Sequence, residues 1–189
     1  MGHNIPVLET ERLQLIPLGD SPDDAADVQR FIDDPDIIKF LHFVPYPYPA
    51  DGGRTFVESQ KVKMEKGCAV LWGIHLKENP AETIGLVHYW ELGGTDWERG
   101  FWLAKKCHGR GYMTEAVAVT LDFIFGELRV KRILMENMHG NEASRRIKTK
   151  TGAKFLGVFP FEKPCKGFTH QDRWEMTAEM WQRAKEKGL

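Results

Sequence analysis

Hydrophobic positions recur along the chain with two periods, and the order in which the periods alternate sketches the fold. Arg12-Leu13-Gln14-Leu15-Ile16 alternates, which predicts a strand with one buried face. Ser21-Pro22-Asp23-Asp24 reads as a helix start, with Ser21 as N-cap and Pro22 in the first helical position. That helix is expected to reach about Asp33, a second short one to start at Pro35, and a third to cover residues 50–66 and stop at Gly67. Three strand-like runs follow, Ala69 to Leu76, Thr83 to Glu91 and Trp97 to Ala104. The turn signals between them, Lys77 to Glu82 and Gly93-Gly94-Thr95-Asp96, predict an antiparallel meander.

After the meander the period changes. Gly109-Arg110-Gly111 leads into residues 112–128, where Ala116, Val119, Thr120, Phe123 and Leu128 recur at helical spacing. A strand is predicted at Arg132 to Met138, then a short helix from Asn141 to Thr151, capped by Asn141 and ended by Gly152. Phe155 to Phe161 and Arg173 to Ala178 read as the last two strands, and the charged tail Glu179 to Lys187 as a helix. The order predicts an α/β fold with a mixed sheet, and the length of 189 residues fits a single domain, 1–189. Seven of the ten prolines precede residue 50, so Val44 to Pro49 is neither helix nor central strand. It reads as an extended aromatic loop, either a connector or a wall of a substrate cleft.

Charge narrows the choice of partners. The 26 basic and 27 acidic residues leave a net charge of -1, which argues against nucleic acid or an anionic membrane as a bulk partner. No run of about 18 apolar residues offers a membrane span. Met1 to Pro6 lacks the features of a signal peptide. Three scattered cysteines, Cys68, Cys107 and Cys165, suggest a reducing, cytoplasmic setting rather than a disulfide framework.

The segment with most chemistry is Gly100 to Ala116. A strand enters a glycine-containing loop and the loop opens a long helix, so unpaired backbone N–H groups and the helix dipole converge on one place. Such a place binds phosphate or pyrophosphate, and Lys105, Lys106 and Arg110 add positive charge. The P-loop pattern is absent, and the dinucleotide fingerprint would need glycine at Thr114.

Gly100-Phe101-Trp102-Leu103 followed by His108-Gly109-Arg110-Gly111-Tyr112-Met113-Thr114-Glu115-Ala116 resembles motif A of the GNAT superfamily of acetyl-CoA-dependent N-acetyltransferases, in particular its ribosomal-protein (RimJ/RimL-like) branch. Thr10-Glu11-Arg12-Leu13-Gln14-Leu15, Glu82-Thr83-Ile84-Gly85, Asn141-Glu142-Ala143-Ser144 with Gly152 eleven residues after Asn141, and Trp181 are similar to that branch's other signatures. The matches span residues 10–181. The resemblance implies a GNAT-like acyl-CoA N-acyltransferase fold, a mostly antiparallel twisted sheet flanked by helices. Three positions depart from the family pattern. Lys106 stands where glutamine or arginine is usual, Ala153 where an aromatic follows the glycine, and Lys148 where many members carry the tyrosine that protonates the leaving thiolate.

What the resemblance implies about mechanism is direct transfer, a neutral amine attacking the acetyl thioester. Acetyl-CoA, as cosubstrate, would be held by Lys106, Cys107, His108, Gly109, Arg110, Gly111, Tyr112, Met113 and Thr114, with Phe101, and with Asn141 on the pantetheine arm. The N–H groups around Trp102 and Leu103 would polarise the carbonyl. Glu136 takes the position of a base in a related acetyltransferase, and a half-buried strand there would raise its pKa. Glu98 is the second candidate, and Ser144 is the candidate proton donor to the thiolate. His75, His88 and His108 read as ordinary strand or loop histidines, and no metal site is expected. The acceptor is a primary amine, either a protein N-terminus or a small molecule, and the protein is expected to be a monomer or homodimer without membrane or nucleic-acid partners. A non-catalytic CoA-binding module and a nucleotide-binding protein remain as other readings.

Overall fold

The computed structural model describes residues 2–188. The chain runs β1 (Leu8–Glu9), β2 (Leu13–Pro17), α1 (Asp24–Ile32), α2 (Pro35–Ile38), α3 (Gly52–Glu65), β3 (Ala69–Leu76), β4 (Asn79–Gly93), β5 (Asp96–Leu103), α4 (Tyr112–Gly126), β6 (Arg132–Met138), α5 (Glu142–Lys150), β7 (Lys154–Cys165), β8 (Phe168–Thr177) and α6 (Ala178–Glu186). A 3-10 turn, Lys105–Cys107, separates β5 from α4. The strands form one sheet in the order β1-β2-β3-β4-β5-β6-β8-β7. Among the described residues only β5 and β6 pair in parallel, because α4 carries the chain back across the sheet between them. This is the mixed, mostly antiparallel sheet that the sequence predicts.

Alternation divides the sheet into two faces. Val70, Trp72 and Ile74 of β3 join Trp97 and Leu103 of β5 in a core with Ala116, Leu121 and Ile124 of α4 and Trp181 of α6. On the opposite face Leu71, Leu86 and Trp102 pack on Val28 of α1 and Val57 of α3. β3 is buried throughout, so its pattern reads as a continuous apolar run with Gly73 and His75 inside it. The Trp181 indole donates to Asp122 Oδ1 at 2.9 Å and ties α6 to α4.

Three predicted boundaries need correction. α1 does not begin at Ser21-Pro22: its first residue is Asp24, whose carboxylate accepts from the amides of Gly19 at 2.5 Å and Ser21 at 3.3 Å. A buried carboxylate thereby satisfies the turn that Ser21 was expected to cap. β4 begins at Asn79, which pairs with Leu76, so the predicted turn shrinks to Lys77-Glu78. The last hairpin is longer than predicted because β7 is an edge strand exposed along most of its length, and an edge tolerates Pro160 and Pro164. No alternation marks such a strand. The two-residue strand β1 left no pattern at all. Val44 to Pro49 is irregular, as expected, with Tyr48 packed beside Gly52 in the α1–α3 core.

Candidate active site

The functional geometry starts where β5 and β6 part. They pair only at Asp96–Arg132, Trp97–Ile133 and Glu98–Leu134. From there residues 99–103 stay with β4 and residues 135–138 stay with β8, leaving a wedge between the two central strands. β4 lies very close to the upper part of β5. A Cβ on Gly85 would come within 2.5 Å of the Trp102 carbonyl oxygen, which is the physical reason for glycine after Ile84.

On the α4 side of the wedge lies the loop. Gly109 and Gly111 have φ of +77° and +82°, a left-handed backbone that other residues adopt at a cost of about 1–2 kcal/mol. The first helical bond of α4 runs from the Glu115 amide to the Gly111 carbonyl, and among the described residues the amides of 109–114 have no acceptor. Nothing lies within 4 Å of a Cβ placed on Gly109. The start of α4 is pinned from outside: Glu115 accepts from the Thr10 hydroxyl at 2.5 Å, and from the Arg12 amide and guanidinium, and Arg12 lies over the Tyr112 ring at 4.6 Å. Burial works against the Glu115 carboxylate, but these donors outweigh it and hold the carboxyl below the ordinary range. The Thr10 and Glu115 signatures are therefore one interaction.

The structure sorts the predicted loop residues. Cys107 and His108 spend their amides on Ala104 and Lys105, the Cys107 side chain is buried in the core, and burial pushes its thiol up. His108 Nε2 lies 2.7 Å from the Leu103 carbonyl oxygen. Lys106 is ion-paired with Glu82. Tyr112 and Met113 are buried, so their amides rather than their side chains face the loop, and Trp102 points to the α1–α3 side. Asn141 caps α5 by accepting from the Ser144 amide at 3.1 Å.

The two candidate bases differ. Glu136 was expected to be half-buried with a raised carboxyl. It is exposed instead, 3.0 Å from Arg173 Nε and 3.3 Å from Gln171 Nε2, because β6 leaves that edge of the wedge open to solvent. Glu98 is the partly buried one. Burial and then the negative charge of Glu136 raise its carboxyl to about 7, against the nearby Trp90 indole and the charge of Lys148. Both carboxylates lie opposite Trp97, Ile133 and Met135 in the strand alternation, and so on the α1–α3 side.

On the α4–α5 side the structure brings Ser144 and Lys148 together with two residues the sequence does not single out, Asn137 and Arg99. Lys148 is 2% exposed, and its ammonium donates to Ser144 Oγ at 2.6 Å, Asn137 Oδ1 at 3.0 Å and the Glu136 carbonyl at 3.4 Å. Asn137 in turn donates to Asp172, which also holds His139. Arg99 is also 2% exposed, and none of its guanidinium nitrogens finds a hydrogen-bond partner among the described residues. The Phe101 ring lies between the two cations, 5.7 Å from Arg99 and 5.5 Å from Lys148. The signal was present: Arg99 occupies the core-facing series Trp97, Arg99, Phe101, Leu103, and Lys148 follows Ile147 on the packed side of α5.

On the other side the β7–β8 turn closes down on the segment after α2. Lys166 Nζ donates to the carbonyls of Ile38 and Leu41, both at 2.7 Å, Phe40 meets Phe168 at 5.6 Å, and His42 meets Phe161 at 5.0 Å.

Two central strands part at mid-length, with bare amides at the head of the crossover helix on one face and the raised Glu98 carboxyl on the other. The chain belongs to the GNAT family: the family described as "Acetyltransferase (GNAT) domain" matches residues 12–154. The FsC-acetyl coenzyme A-N(2)-transacetylase of Aspergillus fumigatus is 25% identical over 205 residues, covering 97% of this chain and 81% of that protein. The ribosomal-protein-S5-alanine acetyltransferase from Vibrio fischeri superposes with a TM-score of 0.79 at 17% identity, over 93% of this chain and 98% of that one. Mycobacterium smegmatis RimJ in complex with CoA-disulfide superposes with a TM-score of 0.77 at 19% identity, over 93% and 89%. The GNAT fold and the acetyltransferase class expected from the motifs are thereby established. No helix among the described residues is long and apolar enough to cross a membrane.

Proposed function

We propose that the protein transfers the acetyl group of acetyl-CoA to a primary amine that enters from the α1–α3 side of the wedge. The observation that carries this is the run of unpartnered amides from Gly109 to Thr114 at the head of α4. They fit a diphosphate: the donors converge, two glycines let the backbone approach, and the helix dipole favours negative charge. Phe101 and Asn141 would hold the pantetheine arm, and Arg110 would add positive charge beside the diphosphate. The cosubstrate supplies an acetyl group activated as a thioester.

The protein's own groups do the rest. Glu98, with a carboxyl near 7, takes the proton of the acceptor nitrogen. Glu136 keeps it basic through its charge. Ser144 Oγ donates toward the departing sulfur. N–H groups of β5 near Trp102 and Leu103 stabilise the oxygen that gains charge. Base and acid stand on opposite faces of the sheet, so amine and thioester meet in the wedge without sharing an entrance.

The acceptor class we propose first is a protein N-terminal α-amine, as in the ribosomal-protein branch that the motifs resemble. The Lys166 contacts to Ile38 and Leu41 narrow the acceptor side and support a second reading, a small-molecule amine. Release of free thiol from acetyl-CoA is the test, run with N-terminal peptides and with amino acids and polyamines. Acetylation of peptides but not of small amines supports the first acceptor class, and the converse supports the second. CoA binding without acetylation of anything overturns the enzyme reading.

A further inference from the structure

Ser144 receives a hydrogen bond from Lys148 Nζ at 2.6 Å, so its own hydroxyl proton points elsewhere, and it has no acceptor among the described residues. The Lys148 nitrogen has three oxygen partners, Ser144 Oγ, Asn137 Oδ1 and the Glu136 carbonyl. Three acceptors match the three donors of an ammonium, and a lysine ammonium has no lone pair to offer in return. Among the described residues no carboxylate touches it. We infer that Lys148 is a positioning residue and proton reserve for Ser144, replacing the proton that Ser144 gives to the sulfur. The inference rests on the acetyltransferase reading proposed above.

The step balances. Glu98 takes one proton from the acceptor nitrogen as the C–N bond forms. The C–S bond breaks with its electron pair going to sulfur, Ser144 Oγ gives that sulfur a proton, and Oγ takes one from Lys148 Nζ, which is left as a neutral amine. One proton is taken up by the protein and one is released to product, so solvent exchange through the open wedge restores both groups once the products leave.

The surroundings make this proton easy to give up. Burial first, and then the positive charge of Arg99 on β5, push the Lys148 ammonium well below the ordinary lysine range. Asp172 of β8 and Glu98 of β5 pull the other way. The remaining charged neighbours are already engaged, Glu136 with Arg173 and Asp172 with His139 and Arg145. Arg99 is a second positioning group: a buried guanidinium whose nitrogens find no hydrogen-bond partner within ordinary geometry among the described residues, with the Tyr89 hydroxyl of β4 nearby, and on the same face as Lys148. Charge repulsion between two buried cations favours the neutral form of the one that can lose a proton, and that is the lysine.

Two measurements test this. Nitrogen-detected spectra of the lysine side chains in the free protein should show Lys148 titrating below the exposed lysines, and Arg99→Met should raise its midpoint. A Lys148 that titrates with the exposed lysines, or is indifferent to Arg99→Met, overturns the inference whatever the activity. In turnover, Lys148→Met should lower kcat about 100-fold, leave the KM for acetyl-CoA within about 2-fold and remove the alkaline limb of the pH profile. Ser144→Ala combined with Lys148→Met should be no slower than the slower single variant, because the two act as one unit. A Lys148→Met enzyme with wild-type kcat and an intact alkaline limb overturns the inference and leaves the acetyltransferase reading standing. A wild-type protein that acetylates no amine defeats that reading instead, and the free-protein titration still decides the lysine. Arg99→Met also separates proton supply from packing, because it keeps Lys148 and Ser144 and is expected to move the alkaline limb upward.

Discussion

Glu98 and Glu136 face the same side of the wedge between β5 and β6, and the charge of the second, added to burial, lifts the carboxyl of the first to about 7. Glu136 is exposed and held by Arg173 and Gln171. One carboxylate is thus placed to accept a proton near neutral pH, and the other to keep it willing. Pairs of titratable groups with different environments commonly mark acid–base roles.

Glu98→Gln removes the group proposed to take the amine proton. The expected outcome is a fall in kcat of about 100-fold or more, with the affinity for acetyl-CoA little changed. In the wild type the rate should rise with pH through about 7, because Glu98 must be ionised to act. The variant should lack that limb. A pH–rate profile of both proteins checks it.

Glu136→Gln leaves the proposed base, Glu98, in place and removes the charge that raises it. The acid limb of the profile should move to lower pH, while kcat at pH 8 stays within about 5-fold. If Glu136 itself were the base, the same substitution would abolish the limb. Comparing the two profiles assigns the roles.

Gly109→Val tests the loop. The φ of +77° forces a β-branched residue into strain of about 1–2 kcal/mol, and its methyls would stand in the open space before the bare amides. CoA affinity measured by calorimetry should fall at least about 10-fold. An unchanged affinity would place the coenzyme elsewhere.

Much of this arrangement was readable before the fold was known, for identifiable reasons. The loop at Gly109 and Gly111 is local, so backbone requirements leave a direct mark on residue type. The Thr10 and Glu115 signatures are far apart in sequence but hydrogen-bonded in the structure. By contrast, the expectation that Glu136 is half-buried does not hold, because β6 leaves it at an open edge, and that depends on where two strands part. Lys148 stood out only as a departure from the family pattern and Arg99 not at all, because charged residues are ordinarily solvated and only packing reveals two cations enclosed on one face. The length of β7 was hidden because an exposed edge strand imposes no alternation.

Lys166 should govern acceptor access. Lys166 and Gly167 form the β7–β8 turn with φ of +50° and +84°, as a two-residue hairpin of this kind requires, and the Lys166 side chain is spent on Ile38 and Leu41. Lys166→Asn keeps a residue tolerant of that backbone and removes the tether. The KM for the amine should change by about 5-fold or more while the KM for acetyl-CoA does not. Equal changes in both would mean that the turn supports the whole wedge.

His88 makes an opposing contribution to acid stability. It is half-buried, with its Nε2 enclosed and its ring 4.6 Å from that of Trp90, and desolvation followed by the charge of Lys63 lowers its pKa to about 3. An unfolded histidine titrates near 6.5, so the unfolded chain binds the extra proton first as pH falls. The stability that neutral His88 allows is therefore present above about 6.5 and is lost on the way down, by about 2 kcal/mol between pH 7 and pH 5. Glu98 acts in the reverse sense. Its carboxyl is raised on folding, so it favours the folded state at low pH and opposes it as pH climbs from about 4.5 to 7, by about 1–2 kcal/mol once partial exposure is allowed for. The two slopes nearly cancel in the wild type. Chemical denaturation of Glu98→Gln should uncover the His88 slope, with stability falling between pH 7 and pH 5, and His88→Phe added to that variant should reduce it, leaving what buried His75, lowered by burial too, contributes in the same sense. A flat profile for Glu98→Gln alone would mean that His88 is charged or solvated in the folded protein.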